Sequence, residues 1–397
     1  MRTQHVVYYT LMLVAILSGC GQSKQKSDLI QIDVTANFPE KEFLLQDVFD
    51  VEYVPLETRD SFLTMGHIQA VNDEYIVTRN KAPQDGDIYL FDRRTGKGVS
   101  TFNHLGQGNG EYMNVLEVIM DAPQRELYVN SHWVEKIFVY DFEGNYKRSF
   151  NHNGVTYYSK FAVLDSFLVC DDIDWDHATD DGSKALKNHY LAVSKEDGHI
   201  IKAAPIPYEE KVSTVIFAPD KKDWRFAGRA GMIHCDEDIL LAETSSDTVY
   251  RFKQDFSLVP FSVRTPSVHQ VDNLFLYPLF CSDKRYLFYV LVKKEHDFKT
   301  NEGFPTTNLV YDKKDGSVYK VSVYNADYAD ETPLKIEGEV FVLRAFNQNG
   351  VAFTQTLYAS DLVEAYQEGR LKGRLKEIAS TLDEEDNPVI LIAKYKQ

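Results

Sequence analysis

Ile137-Phe-Val-Tyr-Asp141-Phe-Glu-Gly144 is an apolar run that ends in an aromatic residue and an aspartate, then reaches a glycine. The same device stands at Ile88-Tyr-Leu-Phe-Asp92 before Arg-Arg-Thr-Gly96, and at Leu309-Val-Tyr-Asp312 before Lys-Lys-Asp-Gly316. Weaker copies are Tyr190-Leu-Ala-Val-Ser194 before Lys-Glu-Asp-Gly198, and Thr248-Val-Tyr-Arg-Phe252. Glycine accepts the positive φ that a tight antiparallel turn demands, so each copy reads as a strand entering a hairpin. The copies recur about every 50 to 60 residues, within the range of propeller blades.

Taking each copy as the third strand of a four-stranded blade puts the rest of the chain in register. Second strands fall at 74–79, 126–131, 167–170, 239–244 and 286–293, and inner strands at 66–71, 112–122, 160–164, 230–235 and 275–281. A sixth blade takes 340–346, 351–356 and 389–395, and then lacks an outer strand. Asp50-Val-Glu-Tyr-Val-Pro-Leu-Glu57 has no inner partner of its own and fits that vacancy, where Pro55 can spare its N–H. The expected fold is all-β: a six-bladed β-propeller closed by the N-terminal strand. A β-sandwich or a seven-bladed ring with one copy overlooked are the alternatives.

One stretch departs from the strand pattern. Residues 360–382 read as a short helical insertion in the last blade, with Ser360 as N-cap and Leu371, Leu375, Ile378 and Leu382 on one face. Gly369 and Gly373 weaken it and mark where it would break.

The N-terminus gives an address. Arg2 precedes an apolar run from Val6 to Leu17, too short for a permanent span, and Leu17-Ser18-Gly19-Cys20 has the small residues and cysteine of a lipoprotein cleavage site. Residues 1–19 are therefore expected to be a signal peptide. Cys20 is the expected lipid attachment, 20–27 a flexible tether, and 28–397 the propeller. Acyl chains on Cys20 would anchor the protein through about 0.8 kcal/mol per buried CH₂.

The formal charge of −17 makes nucleic acid a poor partner. Beyond Cys20 the cysteines are Cys170, Cys235 and Cys281, each in an apolar strand pattern and without CxxC spacing. Buried thiols are the default reading, and one disulfide is open without a nameable pair.

Between blades one and two stands Gly106-Gln-Gly-Asn-Gly-Glu-Tyr112. This turn, the cleavage site, Val51-Glu-Tyr-Val-Pro-Leu-Glu-Thr58 and Asn387-Pro-Val-Ile-Leu-Ile-Ala resemble the six-bladed β-propeller lipoproteins of gut Gram-negative anaerobes. The likeness covers nearly the whole mature chain, with Asn109 where the commoner turn has proline. It implies the fold, the anchor and an outer-membrane location, and some members are encoded near nutrient-uptake systems. In such bacteria acids just after the cysteine often mark surface export. Lys24 and Lys26 stand here instead, which favours the periplasmic side. The glycines read as a blade crossing, since no Lys-Ser/Thr follows for a phosphate loop.

Loops joining second to third strands, and those joining blades, leave a propeller on one face, and here they are long. His132 and Trp133, Trp175, and Trp224 with Arg225 lie in such loops. A flat aromatic beside polar groups suits a sugar ring, although packing beneath a loop is the competing role. Asp172, Asp174 and Asp176 match the first three ligand positions of a calcium loop. His177 replaces the required glycine and Ser183 the closing glutamate, so at most an irregular calcium site remains beside a solvated acidic loop. No other cofactor is indicated, and GxSxG, HExxH and Asp-box signatures do not occur. The expected function is binding of a glycan, peptide or protein partner in an outer-membrane uptake or envelope complex. A propeller hydrolase or lyase acting on polysaccharide is the alternative.

Overall fold

The computed structural model describes residues 29–80, 82–154, 157–173, 190–227, 231–280, 285–330, 334 and 350–396. The signal segment, Cys20, the tether, Cys281 and the strand expected at 340–346 lie outside them.

Six sheets form the expected ring. Blade one runs from the channel outwards as His67–Val71, Tyr75–Arg79, Asp87–Asp92 and Gly98–Asn103. Blade two is Glu117–Asp121, Glu126–Ser131, Lys136–Asp141 and Tyr146–Asn151. Blade three is Tyr157–Leu164, Phe167–Ile173, Tyr190–Ser194 and Ile200–Ala204. Blade four is Gly231–Cys235, Asp238–Ala242, Thr248–Phe252 and Leu258–Thr265. Blade five is Leu274–Phe280, Tyr286–Lys293, Thr306–Asp312 and Ser317–Tyr324. In blade six, Val351–Leu357 pairs with Val389–Tyr395, which pairs with Phe49–Pro55 in a register running from Val389 opposite Pro55 to Tyr395 opposite Phe49. The N-terminal strand closes the ring.

The aromatic–Asp–Gly repeat has a physical cause. The Asp92 carboxylate accepts from the Thr95 amide (2.8 Å) and hydroxyl (2.6 Å), which holds its pKa down, while Gly96 takes φ +71°. Asp141 caps Glu143 and Asn145 in the same way before Gly144. In the weaker copies Ser194 substitutes as the cap, and Phe256 takes the positive φ in blade four. Gly96 has a further constraint: a Cβ there would run into the Pro55 carbonyl of the closing strand.

At the N-terminus two strands were not foreseen. Ile30–Asp33 joins the outer edge of blade four and Glu40–Leu44 that of blade five, both in parallel. A single helical turn, Leu45–Val48, then leads into the closing strand. The N-terminal segment thus laces three consecutive blades from outside. Lys41 fixes the lace to the buried Asp312, at 3.0 Å, beside the Arg285 pair at 2.7 Å. The hydrogen bonds from Arg285 and Lys41 hold the Asp312 carboxyl far below its usual range.

Other boundaries shifted. The inner strand of blade two starts at Glu117, not residue 112, because Tyr112 is fully buried in the crossing. The insertion forms two helices, Ala359–Gln367 and Gly373–Ala379, broken between Gly369 and Gly373, both at positive φ. Its N-cap is Tyr358 rather than Ser360, since the buried Ala359 draws the first turn back towards the core. Cys170 is a buried thiol as expected, whereas Cys235 is disulfide-bonded, its partner lying outside the described residues.

Blades two and three are joined by ions. Arg148 grips Glu126 with two 2.7 Å bonds and donates to the Lys195 carbonyl, while Lys195 reaches Asp121 at 2.7 Å. Burial alone would raise the Glu126 carboxyl, but hydrogen bonds from Arg148, Lys147 and Tyr128 outweigh it and hold it at about 2. A folded pKa below the unfolded one (about 4.3) stabilises the fold above that value, and the gain fades as pH falls towards 2. Glu126→Gln should lose about 2 kcal/mol at pH 7. Urea unfolding should show native and variant converging between pH 4.5 and 2. Parallel acid limbs would refute this role for Glu126.

Candidate functional site

The two faces of the ring differ in build. On one, short turns such as 72–74, 122–125, 165–166 and 236–237 join strands. On the other, because neighbouring strands are antiparallel, emerge the crossings between blades and the connections 80–86, 132–135, 294–305 and 358–388. The loop-rich face is therefore one-sided, as expected.

The glycine-rich crossing is a structural turn. The Gly108 amide donates to the Glu111 carboxylate at 2.7 Å, so the loop supplies its own anion. Tyr112 donates to the Gly86 carbonyl at 2.6 Å, and Tyr140 to that of Gly110 at 2.7 Å.

Beside it, buried Asn114 organises a corner on blade two. Its Oδ1 accepts from the Ser131 hydroxyl (3.1 Å) and the Trp133 amide (3.2 Å), and its Nδ2 donates to His132 Nδ1 at 2.6 Å. His132–Val134 forms a single 3₁₀ turn that leaves the Trp133 side chain 52% exposed. Burial lowers the His132 pKa. Nearby His152 stacks on Tyr158 at 4.4 Å and accepts from its amide at 3.2 Å, and burial pushes its pKa down to about 3. Trp133 is thus a large apolar surface presented to solvent from a hydrogen-bonded support.

The second feature arises from the crossing 205–230, which passes over blade four to reach blade five before returning. Lys211 pairs with Glu243 (2.7 Å) and the Val212 amide donates to the Ser245 hydroxyl (3.0 Å), both on blade four. Further along, Lys294 of blade five donates to the Ser213 carbonyl at 2.6 Å. There a ribbon forms, Val215–Phe217 against Trp224–Phe226, with Phe217 opposite Trp224 and Val215 opposite Phe226. Alternation places Val215, Phe217, Trp224 and Phe226 on one face and Ile216 and Arg225 on the other. Phe217 is 45% and Trp224 40% exposed, and the Trp224 and Phe226 rings lie 6.0 Å apart.

Arg225 faces a small hairpin of blade five, His296–Asp297 against Glu302–Gly303. Its guanidinium donates to Asn301 Oδ1 at 3.4 Å and sits 5.9 Å from the Phe298 ring. Arg225 thus leans towards that hairpin from the ribbon's other face, while Phe217 and Trp224 form its exposed aromatic face. Ala227 and Val212 root the ribbon in an apolar cluster with Val268, Phe275 and Tyr277.

The structure does not bring the tryptophans together. Trp133 stands on blade two and Trp224 over blade five, with no ring contact between them among the described residues. Trp175, Asp174 and Asp176 lie outside those residues. Asp172 is buried against Gly154, where a Cβ would collide with its carboxylate. Among the described residues no cluster of three His, Cys, Asp or Glu side chains could hold a metal. Sequence reasoning missed Asn114 and Phe217. The second was readable, since Val215-Ile-Phe217 and Trp224-Arg-Phe226 flank Ala-Pro-Asp-Lys-Lys-Asp, a turn composition.

The carboxyl groups of Asp92, Glu126, Asp197 and Asp312 sit below their ordinary range. Turn amides or cations hold them there.

Fold and face together define a six-bladed propeller with one elaborated surface. The chain belongs to the family described as "Domain of unknown function (DUF4934)", which matches residues 29–394. No curated protein matches it in sequence. A candidate exported protein of Bacteroides fragilis shares 16% identity at TM-score 0.61, covering 93% of this chain and 100% of its own. A DUF4221-family member from Bacteroides vulgatus shares 10% identity at TM-score 0.47, covering 88% and 97%. The first of these likenesses concerns the fold.

Proposed function

We propose that the chain is an exported, lipid-anchored binding protein of the outer membrane, with the aromatic ribbon as its principal contact surface. The observation that carries this reading is the pair Phe217 and Trp224, paired across a ribbon, half-exposed, and rooted through Val212 and Ala227 in an apolar cluster. Exposed aromatics held on a rigid support are how proteins stack on sugar rings or seat a peptide side chain. Trp133, from its Asn114 support, is a second contact on the same face. Export is supported by the cleavage-site sequence and by the Bacteroides fragilis neighbour.

The test is thermal unfolding of a soluble form from Asp28 onwards against glycans and peptides, with calcium or EDTA. A ligand at about 100 times its Kd stabilises by roughly 2.7 kcal/mol. Trp224→Ala and Phe217→Ala should each weaken the responding ligand about tenfold or more, with the unliganded melt unchanged. A response that survives both substitutions places binding elsewhere.

A further inference from the structure

We propose that a strip of the loop-rich face over blades six, one and two docks a segment of a partner protein in which large apolar side chains alternate with lysine or arginine. The strip takes in the Trp133 contact named above and is separate from the aromatic ribbon, so it stands whether or not the ribbon binds.

The strip arises from alternation in the crossings between blades. In the crossing from blade six to blade one, Phe62, Thr64 and Gly66 turn inwards, which leaves Leu63 and Met65 54% and 55% exposed. In the next crossing, buried Tyr112 and Asn114 turn Met113 outwards in the same way. The inward residues hold the loops: Thr64 through Asn387, Tyr112 through the Gly86 carbonyl, Asn114 through the turn of Trp133.

The loops are tied to one another. The Thr356 hydroxyl donates to the Gly66 carbonyl at 2.6 Å, two residues before the exposed Tyr358 of blade six. The Met65 amide donates to Asn80 Oδ1 at 2.9 Å, and the Val115 amide to the Pro83 carbonyl at 2.8 Å. Tyr358, Leu63, Met65, Met113 and Trp133 are therefore carried by loops joined in sequence across three blades, large side chains on a fixed base.

Charge identifies the occupant. The same loops present exposed acids: Glu384 and Glu385 just before Asn387, Asp85 in the connection 80–86, and Glu135 at the end of the Trp133 turn. Among the described residues none of these four has an ion-pair partner. In the loops 56–66, 80–86, 104–116, 132–135 and 383–388, Arg59 is the one described lysine or arginine, and it already meets Glu57 at 3.5 Å. An apolar strip rimmed by uncompensated negative charge is complementary to a segment that brings apolar side chains and cations together. Leucine and methionine repack around varied apolar partners but offer a sugar ring neither a flat face nor a strong hydrogen bond. A second copy of this chain, at a net charge of −17, or an anionic bilayer would meet the strip with like charge.

The test is fluorescence anisotropy of labelled peptides with the chain from residue 20 onwards carrying Cys20→Ser. The probe alternates leucine and lysine over about twelve residues, long enough at ~3.3 Å per residue to cross neighbouring blades. One control peptide replaces each leucine by serine, the other each lysine by glutamate. The leucine–lysine peptide should bind at least about tenfold more tightly than either control. The pair Met65→Ser and Met113→Ser should weaken it about tenfold, as should Glu384→Lys with Glu385→Lys, and the second pair should also flatten its salt dependence. All four positions are exposed, so thermal melts should stay at the native value. Phe217→Ala, on the ribbon, should leave the affinity unchanged. Equal binding of the serine–lysine peptide would reduce the effect to general acidity and overturn the proposal. So would loss of binding in Phe217→Ala, insensitivity to both double substitutions, displacement by maltoheptaose, or no binding of the leucine–lysine peptide. None of these outcomes touches the ribbon, whose own ligand response is read in Trp224→Ala and Phe217→Ala.

Discussion

A chain beginning at Phe49, with the closing strand intact and only the lace removed, will not hold a folded ring. The lace contributes Ile30, Ile32, Val34, Leu45 and Val48 to the core, all buried. At about 1.5–3 kcal/mol for each buried aliphatic side chain, the loss is on the order of 10 kcal/mol. Domains of this kind are stable by only about 5–15 kcal/mol in total. The truncation also uncovers the outer edges of blades four and five and leaves the buried Asp312 without Lys41. Circular dichroism melts of chains starting at Leu29 and at Phe49 decide the matter. The expected outcome is a cooperative transition for the first and aggregation or a broad, early transition for the second. Melting points within a few degrees of each other would show that blades four and five close without the lace.

That result bears on what a sequence exposes. Hairpins announce themselves, because both strands and their turn are contiguous and the turn needs Asp, Asn or Gly at fixed places. Asp92, Asp141 and Asp312 were legible for this reason, and they brought their blades with them. A parallel fifth strand has no turn to its partner. Ile30-Gln-Ile32-Asp-Val34 alternates visibly, yet its partner lies more than 200 residues away and nothing local names it. The closing strand was legible through arithmetic instead: one strand without a blade, one blade without a strand.

The candidate site divides similarly. Tryptophans stand out by rarity, so Trp133 and Trp224 were legible, but which residues support them was not. Asn114 precedes Trp133 by nineteen positions, and its amide meets the turn only because the crossing folds back over blade two. Arg225 looked like a ligand contact because it adjoins Trp224. In a strand adjacent residues point to opposite faces, and the structure uses Arg225 against Phe298 while Trp224 faces solvent. Adjacency in a strand argues against a shared surface, a rule that assigns Phe217 rather than Arg225 to the face of Trp224.

Asn387→Ala is expected to be the most damaging single substitution outside the apolar core. Asn387 is 4% exposed two residues before the strand Val389–Tyr395 of blade six, where the connection from that blade to blade one must be held. Its Oδ1 accepts from the Thr64 amide at 2.9 Å, and its Nδ2 donates to the carbonyls of Glu57 (2.8 Å) and Phe62. Its own amide donates to the Thr58 hydroxyl at 2.9 Å. The side chain thus satisfies three backbone groups of one loop, and alanine strands them at about 1–3 kcal/mol for each that stays buried. Water can reach some of them, so a loss of about 3–4 kcal/mol is expected. The neighbouring contact leaves little room to adapt, because Gly66, at φ +64°, sits where a Cβ would strike the Pro388 ring. Asn387→Asp separates the donors from the acceptor. A carboxylate still accepts from Thr64 but faces the Glu57 and Phe62 carbonyls with no proton to give, so this isostere should be nearly as destabilising at pH 7 and should recover part of the loss when protonated near pH 4. Urea unfolding of both variants across that range is the measurement. A loss below about 1 kcal/mol for alanine would mean that the closing strand holds the junction without it.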